Sequence, residues 1–132
     1  MRFLIALFAA ALLSAAIARA AGAPQQRFSD SYQGCQHRFG GTLGMRECYG
    51  AESERQDKEL NAVYGKLEAL LAPEDKAALR KAERAWLAYR DSECAWQGSV
   101  ERGGTLALTI EDDRRVQLTG KRIDSLRERL KT

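Results

Sequence analysis

The chain has 132 residues, of which 45% are hydrophobic and 30% charged, with 21 basic residues against 18 acidic ones. That length fits one domain around a single core of modest size. The excess of three positive charges falls to one when Arg2 and Arg19 of a predicted N-terminal signal are set aside, which gives little reason to propose nucleic acid or an anionic membrane as partner.

The first twenty residues have the layout of an export signal. Arg2 is followed by an apolar run from Phe3 to Ile17, and Ala18-Arg19-Ala20 supplies a small-x-small cleavage pattern. The run is shorter than the roughly 20 residues a membrane-spanning helix needs, and no second such run follows. Residues 1–20 are therefore predicted to be a signal peptide cut after Ala20. No cysteine stands at the cut to take a lipid, so the product is expected to be soluble, periplasmic or secreted, and without a membrane anchor. Cleavage removes Arg2 and Arg19, which turns 21 basic residues into 19 against an unchanged 18 acidic ones.

Residues 21–44 contain Pro24, are rich in Gly, Gln and Ser, and show no sustained period, so they read as an irregular N-terminal arm. A helical domain is expected over residues 45–132. Leu60, Val63, Tyr64, Leu67, Leu70 and Leu71 recur at spacings of three and four, the stripe of an amphipathic helix starting at Met45 or Ala51 and ending at Leu71. Gly50 and Gly65 each weaken it by roughly 1 kcal/mol, and Gly50 is a candidate for its start.

Ala72-Pro73-Glu74-Asp75 is a helix restart, with proline in the first turn and two acids facing the positive end of the helix dipole. The new helix carries Leu79, Ala82, Trp86 and Tyr89 on one face and is expected to reach Trp96. So short a connection makes the two helices antiparallel neighbours. Their charges are complementary in kind: acids dominate from Ala51 to Asp75, bases from Lys76 to Arg90. Gly98 to Leu108 reads as a loop centred on Gly103-Gly104. Thr109 and Asp112 resemble a capping box, after which Val116, Thr119, Ile123, Leu126 and Leu130 trace a third stripe. The run from Glu111 to Arg115 reads as a solvated helix start. The fold class is all-α: an antiparallel helical hairpin, a third packing helix, an irregular arm, and stabilisation by a disulfide.

Three cysteines in an oxidising compartment predict one disulfide and one remaining thiol. With the turn near residues 72–73, residue i lies roughly opposite residue 145 − i, which brings Cys48 to within ~4.5 Å of Cys94 along the axis. The expected bond is Cys48–Cys94, with Cys35 as the alternative partner of Cys94. The same register sets Asp57 near Arg90. Asp57, Asn61 and Tyr64 share one side of the first helix, as an interhelical polar set or, alternatively, a binding face. Trp86 is expected in the core. A metal site built from the cysteines and His37, the only histidine, finds no support in a Cys-x-x-Cys pair or a second histidine.

Met45-x-x-Cys48, Glu52, Asp57-x-x-Leu60-Asn61-x-x-Tyr64, Trp86-x-x-Tyr89-Arg90-Asp91-x-x-Cys94, Gly103-Gly104-Thr105 and Thr119-x-x-Arg122 occur here in that order. The ordered set resembles the LprI-like family of small bacterial envelope proteins, named for a member described as a lysozyme inhibitor, and covers about residues 32–130. Asp57, Leu60, Asn61, Tyr64, Trp86, Arg90, Asp91, Thr119 and Arg122 are its motif positions, read here as structural. Family members commonly carry a fourth cysteine shortly before the Thr-x-x-Arg element. Arg114 stands in that place, so the second disulfide of the family cannot form. The founding member resembles a lipoprotein, and this chain has no lipidation site.

The resemblance implies a protein partner, a lysozyme, blocked by a loop or helix edge set into its cleft. Glu52, Glu54 and Glu59, with the Gly103-Gly104 loop, are the candidate contacts, since acidic groups steer toward cationic enzymes. The alternative is an envelope interaction or structural module with no effect on lysozyme. Enzymatic chemistry is not indicated: His37 is isolated, and no serine or cysteine lies beside a plausible base. No catalytic residue, metal or cofactor is implied.

Overall fold

The computed structural model describes residues 27–38, 40–102 and 104–132. The predicted signal peptide lies outside them. Four helices follow in order: α1 Asp30–Arg38, α2 Gly41–Leu70, α3 Pro73–Ser99 and α4 Thr105–Arg129. The all-α architecture expected from the periodicity is present, and α2 and α3 are joined by the short turn at Leu71-Ala72.

The segment read as irregular carries α1. Ser29 caps it: its hydroxyl accepts the Tyr32 backbone N–H at 3.1 Å, and Asp30 occupies the first turn. Gly41, at φ +83°, turns the chain from α1 into α2. Gly50 does not start α2 but sits inside it with open space around its Cα, as does Gly65. The inward stripe of α2 runs Cys48, Tyr49, Glu52, Gln56, Leu60, Val63, Leu67. Its spacing is helical throughout, but its middle is polar, which is why apolar periodicity found only the C-terminal half.

In α3 the inward positions are Leu79, Trp86, Arg90, Cys94 and Gly98, half-buried at first and fully buried from Arg90 onward. Ala82 and Tyr89, expected on that face, are exposed. Trp86 is half-buried against the core. Gly98 has a packing reason. A Cβ there would lie 2.8 Å from Glu111 Cδ and nearer still to the rest of that side chain, so a larger residue would push α4 or Glu111 away.

The third helix begins earlier than the capping pattern suggested. Its N-cap is Gly104, at φ +88°. Thr109 is internal and buried, with its hydroxyl donating to Thr105 O at 2.9 Å. α4 packs most closely on α2 and next on α3, while α2 and α3 meet chiefly through side chains. Every residue from Ile110 to Gly120 is at least half-buried, which makes α4 the central element of the domain.

The core has two apolar parts. Leu60, Val63 and Leu67 meet Ile123 and Leu126 near the α2–α3 turn, and Tyr32, Cys48, Tyr49 and Val116 meet under α1. Between them in sequence on both α2 and α4 lie Gln56 and Thr119, fully buried, with no hydrogen-bond partner for their side chains among the described residues.

Cys48 is bonded to Cys35, with Cα atoms 5.7 Å apart, and Cys94 is a buried free thiol. Neither pairing expected for Cys94 is present, the one with Cys48 from hairpin register or the alternative with Cys35. The reason is topological. α4 pairs with the N-terminal part of α2 through Arg46–Asp112 and with the C-terminal part of α3 through Arg114–Glu93, whereas α1 folds directly back onto α2.

Candidate partner-binding surface

The motif residues meet where α3 crosses α2 and α4. Arg90, buried on α3, reaches Asp57 of α2 at 3.5 Å and the neighbouring Asp91 at 3.1 Å. Arg115 of α4 takes Asp91 at 2.9 Å, and Arg122 of α4 donates through two nitrogens to Glu83 of α3 at 2.6 and 2.9 Å. Two guanidinium groups lie over the Trp86 ring, Arg90 at 5.4 Å and Arg122 at 5.6 Å from its centroid, each contact worth about 0.5–1 kcal/mol. Leu60 and Tyr64 belong to the apolar part near the turn, Thr119 is buried beside it, and Asn61 is exposed. Burial raises the Asp91 carboxyl, but Arg115 and Arg90 outweigh it and hold it below the ordinary range.

The Glu111–Arg115 run is not a solvated helix start. Asp112 takes Arg46 of α2 at 2.9 Å, Arg114 donates to Glu93 of α3 at 2.7 Å, and Arg115 takes Asp91. All five residues are half-buried. A central helix must present polar side chains to partners on both sides, so alternating charge here encodes two interfaces. Burial raises the Cys94 thiol, against the neighbouring arginines, which leaves it a weak nucleophile at neutral pH.

The expected acidic contact face breaks up. Glu52 is 2% exposed, and its carboxylate accepts the Ser29 N–H (3.2 Å) and hydroxyl (2.6 Å) and two guanidinium nitrogens of Arg55 (2.7 and 3.0 Å). Burial raises this carboxyl, yet the bonds from Arg55 and Ser29 prevail and hold it below its ordinary value. Glu59 is half-buried between Arg55 and Arg127. Of the three acids, Glu54 alone is exposed. The signal for the Glu52 site was Ser29-Asp30, a cap three residues before Tyr32, which composition had hidden within the arm.

What the fold does expose is an apolar end. The N-terminus of α2, the C-terminus of α3 and the N-terminus of α4 converge there, tied by a 3.3 Å hydrogen bond between the Thr42 and Thr105 hydroxyls. Leu43, Val100, Leu106 and Leu108 are all exposed on these helix ends, Leu43 at 73%. The α3–α4 connection between them carries Arg102 in the left-handed region at φ +39°, a conformation that costs a non-glycine residue about 1 kcal/mol or more. Its side chain is exposed and makes no ion pair among the described residues. Gly103 lies outside the described residues, and Gly104 closes the turn. No described helix is long and apolar enough to cross a membrane.

The domain is thus helical and disulfide-pinned, with ion-paired internal faces and an apolar, arginine-bearing tip. Residues 35–126 match the family described as lysozyme inhibitor LprI, and the chain belongs to that family. It is also similar to the uncharacterized protein R02472 of Rhizobium meliloti (strain 1021), with 31% identity over 99 residues, spanning 65% of this chain and 71% of that protein. No solved structure matches the chain.

Proposed function

We propose that the protein is exported by its N-terminal signal and acts in the periplasm or outside the cell as a lysozyme inhibitor, using the tip formed by the α3–α4 connection. The reading rests on family membership over residues 35–126. The tip is the part of the described surface whose chemistry suits the task. Lysozyme-type glycosidases work with a pair of carboxyl groups in a substrate cleft. An exposed guanidinium on a narrow, strained turn is a group that such carboxylates would hold, and Leu43, Leu106 and Val100 would cover apolar cleft walls around it. Glu54 remains a rim contact for a cationic enzyme, whereas Glu52 and Glu59 serve the fold.

A turbidity assay of peptidoglycan lysis with the purified chain in excess is the test. Arg102→Glu should weaken inhibition at least about tenfold while the thermal melt stays unchanged, as expected for a charge reversal against buried carboxylates. Lysis that the unaltered chain does not slow would refute the inhibitor reading and favour the second one, an envelope interaction module. That second reading draws on the extent of exposed apolar surface along α3.

A further inference from the structure

On α3, Ala78, Ala82, Ala85, Tyr89, Ser92, Trp96 and Ser99 follow one another at spacings of four and three throughout, and all are exposed. Tyr89 is 50% and Trp96 59% exposed, with Val100 beside the last position at 62%. These residues lie opposite the buried Arg90, Cys94 and Gly98, so α3 has a second apolar face that none of the described elements covers. In a chain that is 30% charged, none of the seven positions carries a charge. A four-three repeat drifts only about 20° per heptad, so the positions form an almost straight seam suited to a second long helix.

We infer that this seam is the interface of a homodimer in which α3 packs antiparallel against α3 of a second copy. The argument is one of size. The N-terminal half of the seam is alanine, and the C-terminal half carries tyrosine and tryptophan. A parallel partner would stack Trp96 on Trp96 and leave the alanine layers empty. In an antiparallel pair the two apolar heptad positions share a layer, one from each helix, so residues whose numbers sum to 174 can lie opposite each other. Trp96 then fills the space over Ala78, Tyr89 that over Ala85, and Ser92 meets Ala82, with the symmetry axis between Ala85 and Tyr89. The seam is thus its own complement, as a two-fold interface must be. At 1.5 Å per residue it spans about 33 Å, and a contact about 10–12 Å wide covers roughly 350–400 Å² per copy. That is about half of a standard interface, which places the dimer among the weak, concentration-dependent ones. The inference does not depend on the lysozyme reading.

Sedimentation velocity of the chain over a wide concentration range, with and without reductant, tests it. A reversible dimer is expected, unaffected by reductant. Ala82→Glu should weaken association at least about tenfold, the scale of an interface hot spot, with unchanged helix content and melting temperature. Ala78→Trp alone should also weaken it by opposing two tryptophans, and the double variant A78W/W96A should restore it, because the large and small residues merely change places. A chain that stays monomeric to about millimolar concentration overturns the proposal. So does a dimer that Ala82→Glu leaves intact, one that reductant abolishes, or a double variant no tighter than Ala78→Trp. A monomeric chain whose binding to lysozyme is lost in Ala82→Glu would assign the seam to a foreign partner and overturn it equally.

Discussion

Replacing Glu52 by glutamine removes one charge and keeps the shape, which isolates what the buried carboxylate contributes. In the folded chain it accepts four hydrogen bonds, two from Ser29 and two from Arg55. Glutamine offers one acceptor oxygen and turns an NH₂ group toward the other donors. Two charge-assisted bonds at about 1.5–3 kcal/mol each are lost or reversed, and part of the loss is recovered where Arg55 swings to Glu59 and solvent. We expect a destabilisation of about 3 kcal/mol, within the range for breaking a buried pair. For a domain near 100 residues that is a fall in Tm of roughly 15 °C. The pH dependence is specific. A carboxyl whose folded pKa is depressed contributes stability that is fully present above its ordinary value of 4.5 and is lost as pH falls through the folded value. Urea denaturation of the unaltered and Glu52→Gln chains should therefore differ most at neutral pH and converge in acid. Because Ser29 caps α1, amide exchange should rise in Asp30–Arg38 before it rises in α4. A variant within about 0.5 kcal/mol of the parent at neutral pH, the scale of an ordinary surface change, would refute the account.

Two further outcomes concern the cysteines. The Cys35–Cys48 bond closes a loop of 13 residues' separation, so reduction or Cys35→Ser should cost about 3 kcal/mol in urea denaturation. Non-reducing peptide mapping should recover Cys94 as a thiol that alkylates only in denaturant, and a midpoint indifferent to reductant would count against the pairing. Arg114→Cys restores the fourth cysteine common in the family, and Arg114 neighbours Cys94 through its bond to Glu93. The introduced thiol should bond Cys94 and raise the denaturation midpoint in oxidising buffer only, by up to about 3 kcal/mol before loss of the Arg114–Glu93 pair is subtracted. Two free thiols in the oxidised variant would show that α3 and α4 are set differently at this point.

Part of the candidate surface was legible before any coordinates. The turn closed by Gly104 was located by its glycine, and the nearness of Asp57 and Arg90 by register. The acids Glu52 and Glu59 were misplaced because a charge is read as solvated unless its partner is known, and their partners Ser29 and Arg127 lie far along the chain. The exposed seam of α3 escaped notice for the opposite reason. Apolar periodicity was assigned to an inner face, and Ala82 and Tyr89 were counted there, although the true inner face carries Arg90.

Helix existence, the turn at Pro73 and the all-α class followed from the sequence by itself, because spacing at three and four residues and proline stereochemistry act locally. The resemblance carried by the ordered motif was equally a property of the sequence. The tertiary structure decided the rest: that α4 is central, that Cys48 pairs with Cys35, and that the Glu111–Arg115 run is buried between two helices. Local pattern says that a helix has an apolar side. Which sides of α4 are covered depends on where α2 and α3 lie, and only that arrangement turned a run of charges into paired contacts and left one face of α3 bare.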